Sequence, residues 1–150
     1  MPSHSETRVL PYHADTMYTI VSNVEKYPEF LPWCAGVRVL ACERVGKNDH
    51  LIAEMLVGFA GLHERYISRV VIDPAAWTID VTQLEGPFRQ METHWRFTPE
   101  GEGCRVDFSI AFEFKSRLLA AVVEKALGRV LSKMTEAFEM RAKALSTVPT

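Results

Sequence analysis

The feature that most constrains how this chain can fold is its C-terminal stretch, residues 116–144, which reads as one long amphipathic helix. Leu119, Val123, Ala126, Leu127, Val130, Met134, Ala137 and Phe138 recur at steps of three and four, laying an apolar stripe along one face of a 3.6-residue helix. Glu124, Lys125, Ser132, Glu136, Glu139 and Lys143 fall mostly on the other face. Ser116 suits the N-cap, where its hydroxyl can accept from a free first-turn N–H. At 1.5 Å per residue such a helix is about 40 Å long. The segments before it read mainly as strands, so one helix and one sheet are the surfaces available to bury each other.

Residues 7–10 make a short first strand, stopped by Pro11. Met17, Ile20, Val21 and Val24 then follow helical spacing from about Ala14, and Asn23 caps a second short turn closed by Pro28 and Pro32. From Val37 the period becomes two. Val37, Val39 and Ala41 alternate with Arg38, Leu40 and Cys42, and after a turn at residues 46–49 Leu51, Ala53, Met55, Val57 and Phe59 alternate with Ile52, Glu54 and Leu56. Residues 58–61 make a hairpin connection into a strand over 63–72, and Asp73-Pro74 turns the chain into Trp77, Ile79 and Val81. Gly86-Pro87 breaks the pattern before Met91, Thr93, Trp95 and Phe97. The strictest alternation comes last: Cys104, Val106, Phe108, Ile110, Phe112 and Phe114 against Arg105, Asp107, Ser109, Ala111 and Glu113. Such alternation places one face on a core and one in water, as in an antiparallel sheet.

The predicted fold is therefore α+β, one domain over residues 1–150 with a frayed tail from 146. A sheet this large must twist and curve, and one helix either fills its concave face or leaves a cavity lined by Phe, Met, Val and Trp that could hold a hydrophobic small molecule. At 150 residues the chain can bury about 70% of its extended surface.

The net charge of −2 is unevenly spread. Residues 115–143 hold seven Lys/Arg against three Glu, a net +4 that leaves −6 for the rest. A basic helix on an acidic body fits an anionic partner, membrane surface or nucleic acid; it also fits a solvated helix face. Cys34, Cys42 and Cys104 are odd in number and lack C-x-x-C spacing, against a disulfide framework or a structural zinc site. No signal sequence precedes the first strand and no apolar run reaches 18 residues, which predicts a cytoplasmic protein whose membrane contact is peripheral.

Catalytic signatures are sparse. His4, His13, His50, His63 and His94 show no metal-ligand spacing, and no G-x-S-x-G, P-loop or G-x-G-x-x-G occurs, so neither a metal nor a cofactor is expected. Glu54, Glu64, Glu92 and His94 lie in strands, where each either faces a cavity as an acid or base or points to solvent. Two other stretches are unusual. Tyr27-Pro28-Glu29-Phe30-Leu31-Pro32-Trp33-Cys34 sets three aromatics and two prolines in eight residues, a stiff apolar segment that fits a cavity rim or a core-plugging corner. Residues 118–123 are apolar all round, so either a loop covers that helical turn or it meets a partner, ligand or lipid surface. Lys115 and Arg117 beside it suit anionic headgroups.

The motif over residues 27–34, together with Glu64-Arg65-Tyr66-Ile67-Ser68-Arg69-Val70 and Gly86-Pro87-Phe88 followed by Trp95-Arg96-Phe97, resembles the coenzyme Q-binding START-domain family of the polyketide cyclase/lipid-transport superfamily. Its bacterial members include proteins described as the ribosome association toxin RatA. The resemblance covers residues 3–145, with Met91 standing where leucine is more usual, a volume-conserving change. It implies a helix-grip fold: a curved antiparallel sheet of about six to seven strands around a long C-terminal helix, with two short helices after the first strand. It also implies that ubiquinone or a similar polyprenyl lipid is bound in an internal tunnel, as ligand rather than cofactor, in support of respiration and without catalysis. Carried onto this chain, Tyr27, Phe30, Leu31, Pro32 and Trp33 line or gate the tunnel, and by position Phe59, Phe88, Phe112, Leu119, Val123 and Leu127 complete its wall. Lys115, Arg117, Leu118 and Val122 are the expected contact with the inner membrane or another anionic partner. Two alternatives remain open: a RatA-type inhibitor of ribosomal subunit association that sets the basic helix on rRNA, and a polyketide cyclase or aromatase. The family's mitochondrial members need a presequence, and none is visible, which implies a bacterial, cytoplasmic version.

Overall fold

The computed structural model describes residues 3–31, 33–59, 62–124 and 127–146, with the side chains of Phe59, Leu62, Leu127, Gly128, Val130 and Ser146 outside the description. Its strands are Ser3–Leu10 (β1), Cys34–Val45 (β2), Asn48–Phe59 (β3), Leu62–Asp73 (β4), Thr78–Glu85 (β5), Phe88–Glu100 (β6) and Gly103–Phe114 (β7). They form one antiparallel sheet in the order β1-β7-β6-β5-β4-β3-β2, so β2 to β7 are a meander and β1 returns to pair with β7. The two short helices expected after β1 are α1 (Ala14–Ser22) and a 3-10 helix (Val24–Glu29). Residues 116–144 carry two helical segments, α2 (Arg117–Glu124) and α3 (Leu127–Ser146), on either side of residues 125–126, which lie outside the described residues. The Leu119 N–H donates to Ser116 Oγ at 3.2 Å, the cap the sequence predicts.

The concave face carries the period-two apolar positions, and the helices cover it. Register shifts fall between Cys34 and Gly36 on β2, between Ile67 and Ser68 on β4, and between Phe88 and Gln90 on β6. Each such irregularity bends its strand and sharpens the local twist, which curls the sheet around the helices.

One end of the concave face is tightly filled. Met17 and Val21 of α1, Phe97 of β6, Cys104 of β7 and Phe138 and Ala142 of α3 are buried together. Phe138 meets Trp95 edge-on at 5.4 Å, with Tyr27 and Phe30 each at 5.3 Å. Polar pairs hold the layers in place around this core. Arg8 on β1 bonds Glu6 at 2.7 Å and Glu139 of α3 at 3.3 Å, and Thr135 of α3 donates to Glu6 at 3.3 Å. Arg141 bonds Glu29 at 3.1 Å and stands over the Phe30 ring at 5.2 Å, tying α3 to the 3-10 helix.

Candidate functional site

The other end of the concave face is hollow. A cavity of about 260 Å³ lies between the sheet and the helices. Its sheet wall alternates as the strands do: Ala53, Met55 and Val57 from β3, Tyr66, Ser68 and Val70 from β4, Ile79 and Val81 from β5, Met91, Thr93 and Trp95 from β6. Phe108, Ile110, Phe112 and Phe114 of β7 continue it. Val24, Tyr27, Leu31 and Trp33 close one flank, and Val123, Leu131, Met134 and Phe138 form the roof.

At the α2 end, Phe88 stacks on Phe114 at 4.8 Å and meets Phe112 at 5.9 Å. A side-chain clamp positions this aromatic group. Gln83 Nε2 donates to the Phe88 carbonyl at 2.6 Å, and the Phe88 N–H donates back to Gln83 Oε1 at 3.0 Å. The Lys115 N–H donates to the Pro87 carbonyl at 3.0 Å, joining the end of β7 to the same turn. Gly86 stands at φ +154°, and a Cβ there would lie 2.5 Å from both Gln83 Oε1 and Tyr66 Cβ, so the clamp requires glycine.

The titratable groups on this wall are phenols among the described residues. Burial, then the neighbouring Tyr66 and Cys34, pushes the Tyr27 phenol above its ordinary range, and Tyr27 donates to the Val21 carbonyl. Burial likewise pushes Tyr66 up, with Cys34 adding to it. Both phenols are therefore neutral at physiological pH. Beside them the Cys34 thiol is pushed up to about 11, by burial against a lowering bond from Gly36.

Of the residues singled out from the sequence, Tyr27, Leu31, Trp33, Phe88, Phe112 and Val123 stand on the wall. Phe30 sits behind it, packed on Tyr27 and Phe138, because Arg141 holds its outer face. Leu119 is half-buried on α2 and is not among the described wall residues. Pro32 lies outside the described residues, as do the side chains of Phe59 and Leu127. Lys115, Arg117, Leu118 and Val122 are all exposed, Leu118 at 77% and Val122 at 42%, and no residue of α2 is fully buried.

The acid–base candidates do not meet in the cavity. Glu54 is on the convex face between Arg38 at 3.2 Å and Arg65 at 2.5 Å. Glu92 and His94 are convex-face residues too, with His94 bonded to Asp80 at 2.6 Å. Glu64 shares the concave side of β4 and pairs with Val57, but lies off the described wall. The sequence reading missed Ser68, Thr93 and Tyr66 as wall residues. Their period-two spacing with Val70 and with Met91 and Trp95 was the available signal.

A family model described as polyketide cyclase / dehydrase and lipid transport matches residues 10–139. The chain is 34% identical to the ribosome association toxin RatA of Rickettsia prowazekii over 146 residues, covering 95% of this chain and 97% of that protein. It is 36% identical to the mitochondrial coenzyme Q-binding protein COQ10 homolog B of Xenopus laevis, over 93% of this chain but 57% of the longer relative. Among solved structures, an 18 kDa protein of Caulobacter crescentus is 40% identical and superposes with a TM-score of 0.84, covering 99% of this chain and 100% of its own.

Proposed function

The chain belongs to the polyketide cyclase / dehydrase and lipid transport family, and from that premise we propose that it binds a neutral polyprenyl lipid, ubiquinone foremost, and carries it in support of respiratory electron transport without acting on it. The observation that carries this reading is the cavity itself. About 260 Å³ of space is walled by apolar side chains and neutral polar ones, and no ionised group stands on its wall among the described residues. That exceeds the ~150 Å³ of an apolar void able to hold benzene, and it approaches the range of small-molecule sites. A ring and its first isoprenoid carbons fit inside, while a long tail must leave the protein. The Phe88, Phe112 and Phe114 group adjoins α2, whose exposed Leu118 and Val122, flanked by Lys115 and Arg117, suit an anionic bilayer surface. No helix among the described residues is long and apolar enough to cross a membrane. With neutral phenols and no carboxylate or imidazole on the wall among the described residues, the cavity offers no acid–base pair, which favours binding over cyclisation.

Mass spectrometry of an organic extract from protein purified out of its native host tests the carrier reading. A stoichiometric polyprenyl quinone is the expected result, and well-folded protein without lipid would overturn it. A second reading, inhibition of ribosomal subunit association, draws on Arg117, Arg129, Lys133 and Lys143, exposed basic residues with no ion pair among the described residues. It requires salt-sensitive co-sedimentation with large ribosomal subunits; no co-sedimentation at low salt would remove it.

A further inference from the structure

The cavity wall carries hydroxyls that lack an oxygen acceptor. Ser68 on β4 is buried on the wall, and its hydroxyl, unlike its backbone in the sheet, has no hydrogen-bond partner among the described residues. Thr93 on β6, also buried, donates to the thioether of Met91 at 3.3 Å. Tyr66, two residues before Ser68 on the same strand face, donates to the Met55 thioether at 3.3 Å. The buried indole N–H of Trp33 has no partner among the described residues. Thioether sulfur is a weak acceptor and an indole N–H can only donate, so the donors of this wall are poorly matched, although each hydroxyl oxygen can also accept. Buried polar groups are usually paired, and a ligand oxygen supplies the oxygen acceptor that neither the Ser68 nor the Thr93 hydroxyl has among the described residues. With no ionised group on the described wall, a carboxylate, phosphate or ammonium would enter unpaired.

The register places the two hydroxyls on either side of one strand. Ser68 pairs with Gln83 of β5, and Val81 of β5 pairs with Thr93. They are thus two strand spacings apart across the sheet and two residues apart along it, roughly 12 Å between Cα atoms, with Val81 on the wall between their strands. That span suits a flat ring with acceptor oxygens on opposite edges.

We propose that Ser68 and Thr93 hold the two ring carbonyls of a para-quinone laid across β5 over Val81. This rests on the carrier reading and specifies its headgroup as a neutral ring with oxygens at positions 1 and 4, each met by one hydroxyl.

The test uses two probes, a 1,4-benzoquinone bearing one isoprenoid unit and a prenylated alkylbenzene of the same shape without carbonyls. Titration calorimetry on the unaltered protein, Ser68→Ala and Thr93→Val is expected to show each substitution weakening the quinone about five- to tenfold, with the hydrocarbon unchanged. Infrared difference spectra of the bound quinone are expected to show two lowered carbonyl bands, one rising in Ser68→Ala and the other in Thr93→Val. Carbonyl bands in the unaltered protein at their alkane-solution positions would overturn the subsite even if a variant failed to fold. Equal binding of both probes by all three proteins would overturn it while leaving the carrier reading standing. Failure of both probes to bind the unaltered protein would overturn the two together.

Discussion

The three cysteines stand in different surroundings, which sets their reactivity apart. Burial pushes Cys34 up to about 11 and also pushes Cys104 up, with Glu100 adding to it, whereas Cys42 is exposed on β2. The thiolate is the reacting species, so Cys34 and Cys104 are doubly protected, by access and by protonation. A thiol reagent at pH 8 should titrate one sulfhydryl in the native protein and three after denaturation; rapid native reaction at three sites would contradict the packing of both ends of the concave face. The same contrast shows what a sequence reveals at this scale. Apolar neighbours such as Trp33 and Val106 suggest buried cysteines, which holds for Cys34 and Cys104 but not for Cys42, while Tyr27, Leu31 and Trp33, placed by the family resemblance, stand on the wall. Thr93 was legible as well, since it stands in the apolar phase of its strand with Met91, Trp95 and Phe97. Ser68 was not, because a hydroxyl on a strand is ordinarily a solvent-side residue and only the phase of β4 against β5 turns it inward. Phe30 was misplaced for a related reason: composition marks it as apolar, but the Arg141 cation that claims its ring is 111 residues away in sequence.

Among the elements, β1 is an edge strand, held on one side by β7 and above by α3. The upper attachment is electrostatic. Burial would raise the Glu6 pKa, but the Arg8 guanidinium, with help from His4 and Thr135, outweighs it and holds the carboxyl below its usual range. A carboxylate lowered on folding stabilises the native state at pH values above its unfolded pKa, and that contribution disappears as pH falls through the native value. The unaltered protein should therefore lose stability more steeply than Glu6→Gln between about pH 5 and pH 3, the range in which carboxylates titrate. At pH 7 the substitution should cost about 1 kcal/mol, a charged hydrogen bond reduced by solvent screening. Urea melts across that pH range check both, and parallel acid profiles would mean Glu6 is unperturbed. None of this was visible in the linear chain, where Glu6 and Glu139 are merely charged residues at opposite ends. The strands and the two short helices were visible, since period and punctuation are local. The C-terminal stretch was legible as helical and apolar-striped. Its buried register of Leu131, Thr135, Phe138 and Ala142 includes a threonine that a hydrophobic pattern passes over.

For the molecule as a whole, the uneven filling of one concave face has a consequence that a single chemical change can expose. The α1 end packs Val21 and Ala142 with no exposed surface, while the opposite end keeps about 260 Å³ open. A protein selected for stability alone would close such a void, because lining atoms without neighbours forfeit dispersion contacts. Alanine-to-leucine substitution adds the same three carbons at either end and should give opposite signs. Ala53, on the cavity wall, has room in front of it, so Ala53→Leu should stabilise by about 1–2 kcal/mol and raise Tm by about 2–8 °C. Ala142, in the filled end, has none, so Ala142→Leu should destabilise by about 1–3 kcal/mol through displaced rotamers and backbone. Calorimetric unfolding of the lipid-free protein makes the comparison, because bound ligand adds its own stabilisation and would hide the gain at Ala53. If the cavity is a functional vacancy, Ala53→Leu should also weaken uptake of a hydrophobic probe as it strengthens the fold. Destabilisation of similar size at both alanines would mean that the concave face is uniformly packed and that no ligand space exists there.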